Sequence, residues 1–147
     1  MMDEKQLGVF LSGIEAFSGV SPDTLAKLVS AFHERPCNPG EVVICQGARG
    51  TELCIVVEGE LSVTIADQME PGGDEAVQTV REVATLKAGD IFGEIGVVSG
   101  MEASATVSAA MGGCRILTLG ERELHEQILR NSPTLAAGLL RSMKRYL

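Results

Sequence analysis

Residues 88–107 contain the side chains and glycines of this sequence that are best suited to bind a ligand. The stretch reads AGDIFGEIGVVSGMEASATV, with β-like residues on either side of a short helical turn. Gly89 and Gly93 allow the backbone to come close to a ligand, because glycine has no Cβ atom. The first N–H groups of a short helix have no partner within the helix, so they can receive an anion.

Glu94 stands next to these amides in the sequence. A phosphate would be repelled by its carboxylate, but a sugar hydroxyl can donate a hydrogen bond to it. Phosphate on amides and hydroxyl on carboxylate is the chemistry that a ribose phosphate requires. Structural interpretations stay open, since Glu94 could be stabilised by the helix dipole alone, Ser104 could face a neighbouring strand, and the two glycines could serve only the backbone.

The remaining titratable residues form no catalytic or metal-binding pattern. Both histidines, His33 and His125, are predicted in helical contexts, and Pro36 separates His33 from Cys37. The cysteines have no CxxC spacing and are typical of buried free thiols in a reducing cytoplasm; they are Cys37, Cys45, Cys54 and Cys114. We therefore expect no catalytic residue, no metal ion and no cofactor, and a protein that is not an enzyme.

Composition restricts the class of protein further. The chain has 147 residues with 45% hydrophobic and 22% charged residues, which fits one soluble domain over 1–147. A net charge of −8 argues against direct nucleic-acid binding, which depends on Lys and Arg neutralising phosphates. No apolar run approaches the roughly 20 residues that cross a bilayer, and the first residues lack the pattern of a signal peptide. We expect a cytoplasmic protein without membrane insertion.

The elements that position residues 88–107 begin with helices over about 4–35. Ser21 and Pro22 predict an N-cap followed by proline in the first turn. The apolar residues that follow have helical spacing; they are Leu25, Leu28, Val29 and Phe32. An earlier short helix is predicted around 6–17, and Pro36 and Pro39 are expected to end the helical part.

From about 36 to 120 the sequence alternates short apolar runs with glycine-containing turns. The predicted strands are 41–45, 53–57, 61–65, 77–86, 103–110 and 114–119. Pro71-Gly72-Gly73-Asp74 is a strong turn signal, so 61–86 is predicted to be a long hairpin. Many short strands at this spacing indicate a sandwich or a barrel.

The chain is predicted to become helical again over about 121–147. One helix covers 121–130 and a second covers 133–147, with a break at Asn131, Ser132 and Pro133. The second helix carries an apolar stripe of Leu135, Leu139, Leu140, Met143 and Leu147.

The segment 88–107 resembles the phosphate-binding cassette of the cyclic-nucleotide-binding domain family, the type found in the catabolite activator and in the regulatory subunit of protein kinase A. Residues 14–32 resemble the N-terminal helical bundle of that family, and 39–63 resemble its first strands. The resemblance implies a mainly β fold: a jelly-roll-like β-roll with an N-terminal helical bundle and two C-terminal helices. It also implies a sensory or regulatory module that binds cAMP, cGMP or a related phosphorylated ligand within 89–107.

Two positions depart from the pattern of the family. The arginine that pairs with the cyclic phosphate falls on Ala103, and the aspartate of the earlier glycine loop falls on Thr51. Loss of a charge-assisted hydrogen bond weakens binding by roughly ten- to a hundredfold. Arg49 lies in the same loop, where it is either a substitute contact for the phosphate or an exposed loop arginine. The ligand-binding residues that the resemblance implies are Gly93, Glu94, Ile95, Ala103 and Ser104.

The residues and the family resemblance leave two classes of function open. One is a ligand-binding regulatory module. The alternative is a ligand-independent protein-interaction or homodimerisation module, which has kept the fold and uses the apolar stripe of the C-terminal helix as its contact. A cupin-type enzyme would need several histidines on strands, and a DNA-binding activator would need a further helix-turn-helix domain.

Overall fold

The fold is an antiparallel β-roll between N-terminal and C-terminal helices, as the resemblance predicts. The computed structural model describes residues 1–67, 79–128 and 132–143. The strands are β1 His33–Cys37, β2 Val42–Ile44, β3 Glu52–Ala66, β4 Val80–Leu86, β5 Ile91–Phe92 and β6 Thr106–Gly120. The helices are α1 Glu4–Ser12, a 3-10 turn Glu15–Phe17, α2 Pro22–Ala31, α3 Glu94–Ser99, α4 Glu121–Glu123, a π-helix Leu124–Ile128 and α5 Pro133–Met143.

The roll is built on its two long strands, β3 and β6, of 15 residues each. They pair with each other, and their register shifts where the strands bend. One half of β6 also pairs with β1 and the other half with β2, while β3 pairs with β4 and β5 in the same manner. Each long strand therefore belongs to both sides of the roll, and the two sides enclose an interior.

The long strands merge elements that the sequence separates. The predicted runs 53–57 and 61–65 are both part of β3, and 103–110 and 114–119 largely belong to β6. The predicted hairpin is confirmed by the pairing of β3 with β4, in which Leu61 lies opposite Leu86. The predicted turn at 71–74 and the start of the predicted strand 77–86 lie outside the described residues.

The prediction for 32–37 is wrong. Helix α2 ends at Ala31, and His33 begins a strand, so this histidine is not in a helical context and the strands start before residue 36. Among the described strands, β1 pairs with β6 alone, which makes it an edge strand of this sheet. Pro36 is tolerated there because an edge strand does not need every N–H for the ladder. Pairing with β6 thus makes Pro36 part of the sheet, although the sequence predicted only that this proline ends a helix.

The predicted N-cap at Ser21 is confirmed, and α1 begins with a cap that was not predicted. Asp3 and Gln6 form a reciprocal capping box at the start of α1. The Ser21 side chain accepts a hydrogen bond from the backbone N–H of Thr24 at the start of α2. Apolar side chains from these helices, the sheet and α5 share one core; fully buried members are Leu11, Leu28, Leu53, Leu119, Leu135 and Leu139.

The C-terminal helices are more deeply packed than the sequence suggests. The predicted helix 121–130 is an α-helical turn followed by a π-helix to Ile128, and 129–131 lie outside the described residues. Helix α5 is described to Met143. The expected exposed stripe is wrong for Leu135 and Leu139, which are 0% exposed in the core, whereas Leu140 is 52% exposed. The packed face of α5 is therefore used within the domain.

Candidate ligand-binding site

A cavity opens between α3, the start of β6 and one face of the roll. Its polar end is formed mainly by α3 and by the segment that leads into β6, and its walls by apolar strand residues. The lining residues are Ile44, Gly50, Val63, Leu86, Phe92, Gly93, Glu94, Gly96, Glu102, Ala103, Ser104, Ala105 and Val107. Concave sites with apolar walls and a few polar groups are typical of small-molecule binding.

Gly93 turns the chain sharply from β5 into α3. Its φ of 82° lies in the left-handed region, and a Cβ atom at this position would stand 2.5 Å from the carbonyl oxygen of Glu52. Glycine is therefore needed here for both backbone conformation and space. The turn makes Glu94 the first residue of α3, and this side chain is only 1% exposed while it lines the cavity.

The glycine loop 46–51 packs directly on α3. A Cβ atom on Gly96 would stand 2.8 Å from the carbonyl oxygen of Gly50, so the two backbones touch at a point where both residues are glycine. Gln46 anchors the start of the loop, because its backbone N–H donates to the Thr106 hydroxyl at 3.0 Å. The loop thus forms one rim of the cavity.

Ala103 is fixed by two backbone hydrogen bonds to the same loop. The N–H of Gly47 donates to the Ala103 carbonyl and the N–H of Ala103 donates to the Ala48 carbonyl, both at 2.8 Å. Ala103 is half-buried and Ser104 is exposed, and both line the cavity. Ala103 occupies the position at which the family has its phosphate-binding arginine. This position does face the cavity, but Ala103 presents only a methyl group there.

The charges that line the cavity have one sign. Glu94 and Glu102 are both acidic, and none of the lining residues in the described part of the chain is Lys, Arg or His. Ser104 adds a neutral hydroxyl. The arrangement offers acceptors for hydroxyl donors and no cation for a phosphate.

Arg49 points to a different partner from the one predicted. Its guanidinium forms an ion pair with the Glu121 carboxylate at the start of α4, and it is not among the cavity-lining residues. Thr51, at the position of the aspartate of the family, lines a second, neighbouring cavity, and its carbonyl accepts from the Glu121 N–H at 2.8 Å. A phosphate contact by Arg49 stays a prediction.

Helix α3 also contacts the C-terminal helices. Val97 is 1% exposed, and the Nε2 of His125 in the π-helix lies 2.7 Å from its carbonyl oxygen. A carbonyl can only accept, so Nε2 carries the proton and donates. His125 is therefore a structural link between the cavity helix and the C-terminal helices.

The cysteines are free thiols in the structure, as the sequence predicts. Burial raises the pKa of Cys54 to about 12 and that of Cys114 to about 12, and burial also raises the pKa of Cys37. The expectation of burial is wrong for Cys45, which is exposed because it follows the short strand β2 at the rim of the second cavity.

The structure brings together four of the predicted site residues, Gly93, Glu94, Ala103 and Ser104. The fifth, Ile95, follows Glu94 in the first turn of α3. Sequence reasoning did not assign Gly96 or Glu102 to the site. The glycine loop offered a signal for Gly96, since a glycine on each of two segments permits close backbone contact. No sequence signal distinguishes Glu102 from an exposed loop residue.

Among the described residues, no helix is both long and apolar enough to cross a membrane.

Comparison with known proteins decides the family. Residues 34–131 match the model of the cyclic nucleotide-binding domain. This chain belongs to the cyclic nucleotide-binding domain family. The match covers the β-roll from the second residue of β1 onward, including the cavity, so the predicted fold and functional class are confirmed.

Individual relatives agree with the family. A cAMP-dependent protein kinase regulatory subunit of Mycosarcoma maydis is 35% identical over 117 residues, which are 77% of this chain and 21% of that protein. The chain thus spans about a fifth of the length of this relative.

Two solved structures share the fold. The regulatory domain of Toxoplasma gondii protein kinase A with cAMP has a TM-score of 0.79 at 24% identity, over 97% of this chain and 50% of that one. The regulatory subunit of a cAMP-independent protein kinase A from Trypanosoma cruzi, bound to guanosine, has a TM-score of 0.76 at 22% identity, over 97% of this chain and 47% of that one.

Proposed function

We propose that this domain is a regulatory module that binds a ribose-bearing ligand of the nucleotide type in the cavity between α3 and β6. The observation that carries the proposal is the Glu94 carboxylate, which lines the cavity at 1% exposure. Relatives whose names refer to cAMP, and the fold neighbour bound to guanosine, support a ligand of this class. The proposed role is binding and signal transmission, without a cofactor and without catalysis.

The hydroxyl groups of a ribose suit the buried carboxylate. A carboxylate is an acceptor only, with about four lone-pair positions, and a vicinal diol offers two donors. Hydrogen bonds to an ionised group are roughly twice as strong as neutral ones. The sharp turn at Gly93 fixes the backbone of Glu94, and the side chain is 1% exposed, so little ordering of it is needed on binding.

The apolar walls suit a nucleobase. Strand residues face the cavity beyond its polar end, and they are Ile44, Val63, Leu86, Phe92 and Val107. Burial of an aromatic ring against them is favourable at about 25 cal/mol per Å² of apolar surface. A ligand with a base at one end and hydroxyls at the other matches this division of the cavity.

Signal transmission is proposed to pass through α3 to the C-terminal helices. The His125 contact to Val97 connects them directly. A partner that reads these helices is part of the proposal, either another protein or a second copy of this chain. A cytoplasmic location is proposed as well, since free thiols persist in a reducing compartment.

The proposal is tested by thermal unfolding with nucleosides, cAMP and cGMP at millimolar concentration. A ligand at a hundredfold excess over Kd stabilises the native state by about 2.7 kcal/mol, which for a domain of this size raises Tm by about 5–10 °C. We expect a shift with at least one ligand and none with it in Glu94→Ala. Glu60→Ala is the matched control, because Glu60 is exposed and does not line the cavity. Absence of a shift with every ligand would contradict the proposal.

A ligand-independent interaction module is the second candidate, and the lack of a cationic residue among the described lining residues favours it. Under this function the wild-type chain binds no nucleotide or nucleoside. A thermal shift with cAMP that appears only in the Ala103→Arg, Thr51→Asp double variant would support it, because the double variant restores the pair that the family uses.

A further inference from the structure

We infer that the cavity prefers an uncharged ribonucleoside to a cyclic nucleotide, and that Glu102 is a residue that determines this preference. The inference rests on the proposed function and specifies the ligand of the same site.

The first step is the charge balance of the site. Glu94 and Glu102 both line the cavity. Arg49, which forms a β-bridge with Glu102, is ion-paired with Glu121 instead. Within the described residues, no Lys, Arg or His nitrogen lies within 4.0 Å of the Glu102 carboxylate. The described residues that line the cavity thus include two acidic side chains and no Lys, Arg or His.

The second step concerns the phosphate. A cyclic phosphodiester carries one negative charge, and transferring it from water towards two carboxylates is unfavourable because both desolvation and repulsion oppose it. A cation normally compensates for this cost, but Ala103 presents only a methyl group at the position where the family has an arginine. The Ser104 hydroxyl can donate one neutral hydrogen bond, which does not neutralise a charge.

The third step concerns the donors. In a 3′,5′-cyclic nucleotide the 3′ and 5′ oxygens are esterified, so the ribose keeps the 2′ hydroxyl as its only donor. A nucleoside keeps the 2′, 3′ and 5′ hydroxyls and has three donors. A cavity with acceptors on Glu94 and Glu102 can therefore form more charge-assisted hydrogen bonds with a nucleoside.

The position of Glu102 is set by the backbone on both sides. Residues 49 and 102 form a β-bridge, and the next residue, Ala103, is hydrogen-bonded to the glycine loop in both directions. The Glu102 side chain is exposed and lines the cavity. Its backbone is thus held beside the cavity, and replacement of the side chain does not disturb a packed core.

The test is isothermal titration calorimetry of the 147-residue chain with adenosine, guanosine and inosine and with cAMP and cGMP. We expect at least one nucleoside to bind at least about tenfold more tightly than its cyclic nucleotide, which is the range of one lost charge-assisted hydrogen bond. Glu102→Gln should narrow this ratio by raising the affinity for the cyclic nucleotide. Glu60→Gln removes an exposed charge away from the cavity and should leave the ratio unchanged.

The outcomes separate the inference from the proposed function. A cyclic nucleotide that binds as tightly as its nucleoside, or more tightly, would overturn the inference and leave the proposed function in place. If the ratio of nucleoside affinity to cyclic-nucleotide affinity is the same in wild type and Glu102→Gln, the role of Glu102 is overturned. Because Glu102 is exposed, we do not expect this variant to misfold, and circular dichroism checks its fold. If no ligand binds the wild type, the inference and the proposed function both fail, and binding of cAMP by Ala103→Arg, Thr51→Asp would then identify an interaction module.

Discussion

Substitution of Gly138 by alanine should weaken the attachment of α5 to the rest of the domain. A Cβ atom at this position would overlap the carbonyl oxygen of Ala16 and stand 2.8 Å from its carbonyl carbon. Both are backbone atoms of the 3-10 turn, so no side-chain rotation relieves the overlap. Ordinary contacts of a Cβ atom begin at about 3.4 Å, so α5 must move away from the turn or detach.

The size of the effect follows from what the retreat exposes. Leu135 and Leu139 are on the same helix and are 0% exposed. Overpacking typically costs about 1–3 kcal/mol, while replacing an interior helical glycine by alanine gains about 1 kcal/mol of helix propensity. Full detachment would forfeit about 1.5–3 kcal/mol for each of the two leucines. After the gain in helix propensity is subtracted, we expect the free energy of unfolding to fall by up to about 2 kcal/mol if α5 only shifts, and by about 2–5 kcal/mol if it detaches.

Urea unfolding monitored by circular dichroism measures this loss as a lower midpoint. Hydrogen exchange should also show that Gly138→Ala accelerates amide exchange, relative to the wild type, more in α5 than in β3 and β6. Gly112→Ala is the matched control, since a Cβ atom on Gly112 has no heavy atom within 4 Å and Gly112 does not have a positive φ. A Gly138→Ala variant as stable as the wild type, with unchanged exchange in α5, would refute the close contact between the two backbones.

Three further changes probe the charges and thiols. Arg49→Ala removes the ion pair with Glu121, whose side chains are 46% and 26% exposed, so stability should fall by less than about 1 kcal/mol; calorimetry should show unchanged affinity for any ligand, and a tenfold loss for cAMP would establish Arg49 as a phosphate contact. A hydrogen bond from Arg35 lowers the pKa of Glu41, so this pair stabilises the fold above the ordinary carboxyl pKa and ceases to do so as pH falls through the lowered value; urea midpoints of wild type and Glu41→Gln should differ at pH 7 and converge in acid, and a constant difference would contradict the assignment. Alkylation at pH 8 followed by mass spectrometry should modify the exposed Cys45 first, because the other three thiols have raised pKa values.

The sequence predicts those parts of the fold that depend on local chemistry. The N-cap at Ser21 and the glycine turn at Gly93 both follow from backbone requirements that few residues satisfy. Strand β1 was not predicted, because its sequence HERPC contains a proline and has little β propensity. The segment is extended because it pairs with β6. The division of β3 and β6 into separate strands failed for a related reason, since a strand can bend at a register shift without ending.

The candidate site was predictable where glycine and a buried acid occur together, and less so where it depends on tertiary contacts. Glu94 follows Gly93 in a pattern that has both a physical meaning and a family resemblance. The ion pair of Arg49 with Glu121 joins residues 72 positions apart, and the placement of Glu102 depends on a bridge to the glycine loop. Such partners are selected by the fold, so a sequence alone leaves them open.

Two separate connections run from the elements around the cavity to the C-terminal helices. One passes through α3, where His125 donates to the Val97 carbonyl. The other passes through the glycine loop, where the Thr51 carbonyl accepts from the Glu121 N–H. Because Gly96 of α3 is in backbone contact with the same loop, a ligand that displaces either element must act on the other. Coupling of this kind requires that the ligand bind two arrangements of α3 and the glycine loop with different affinities. At the contact between Gly96 and Gly50, backbone atoms on both sides resist a small displacement.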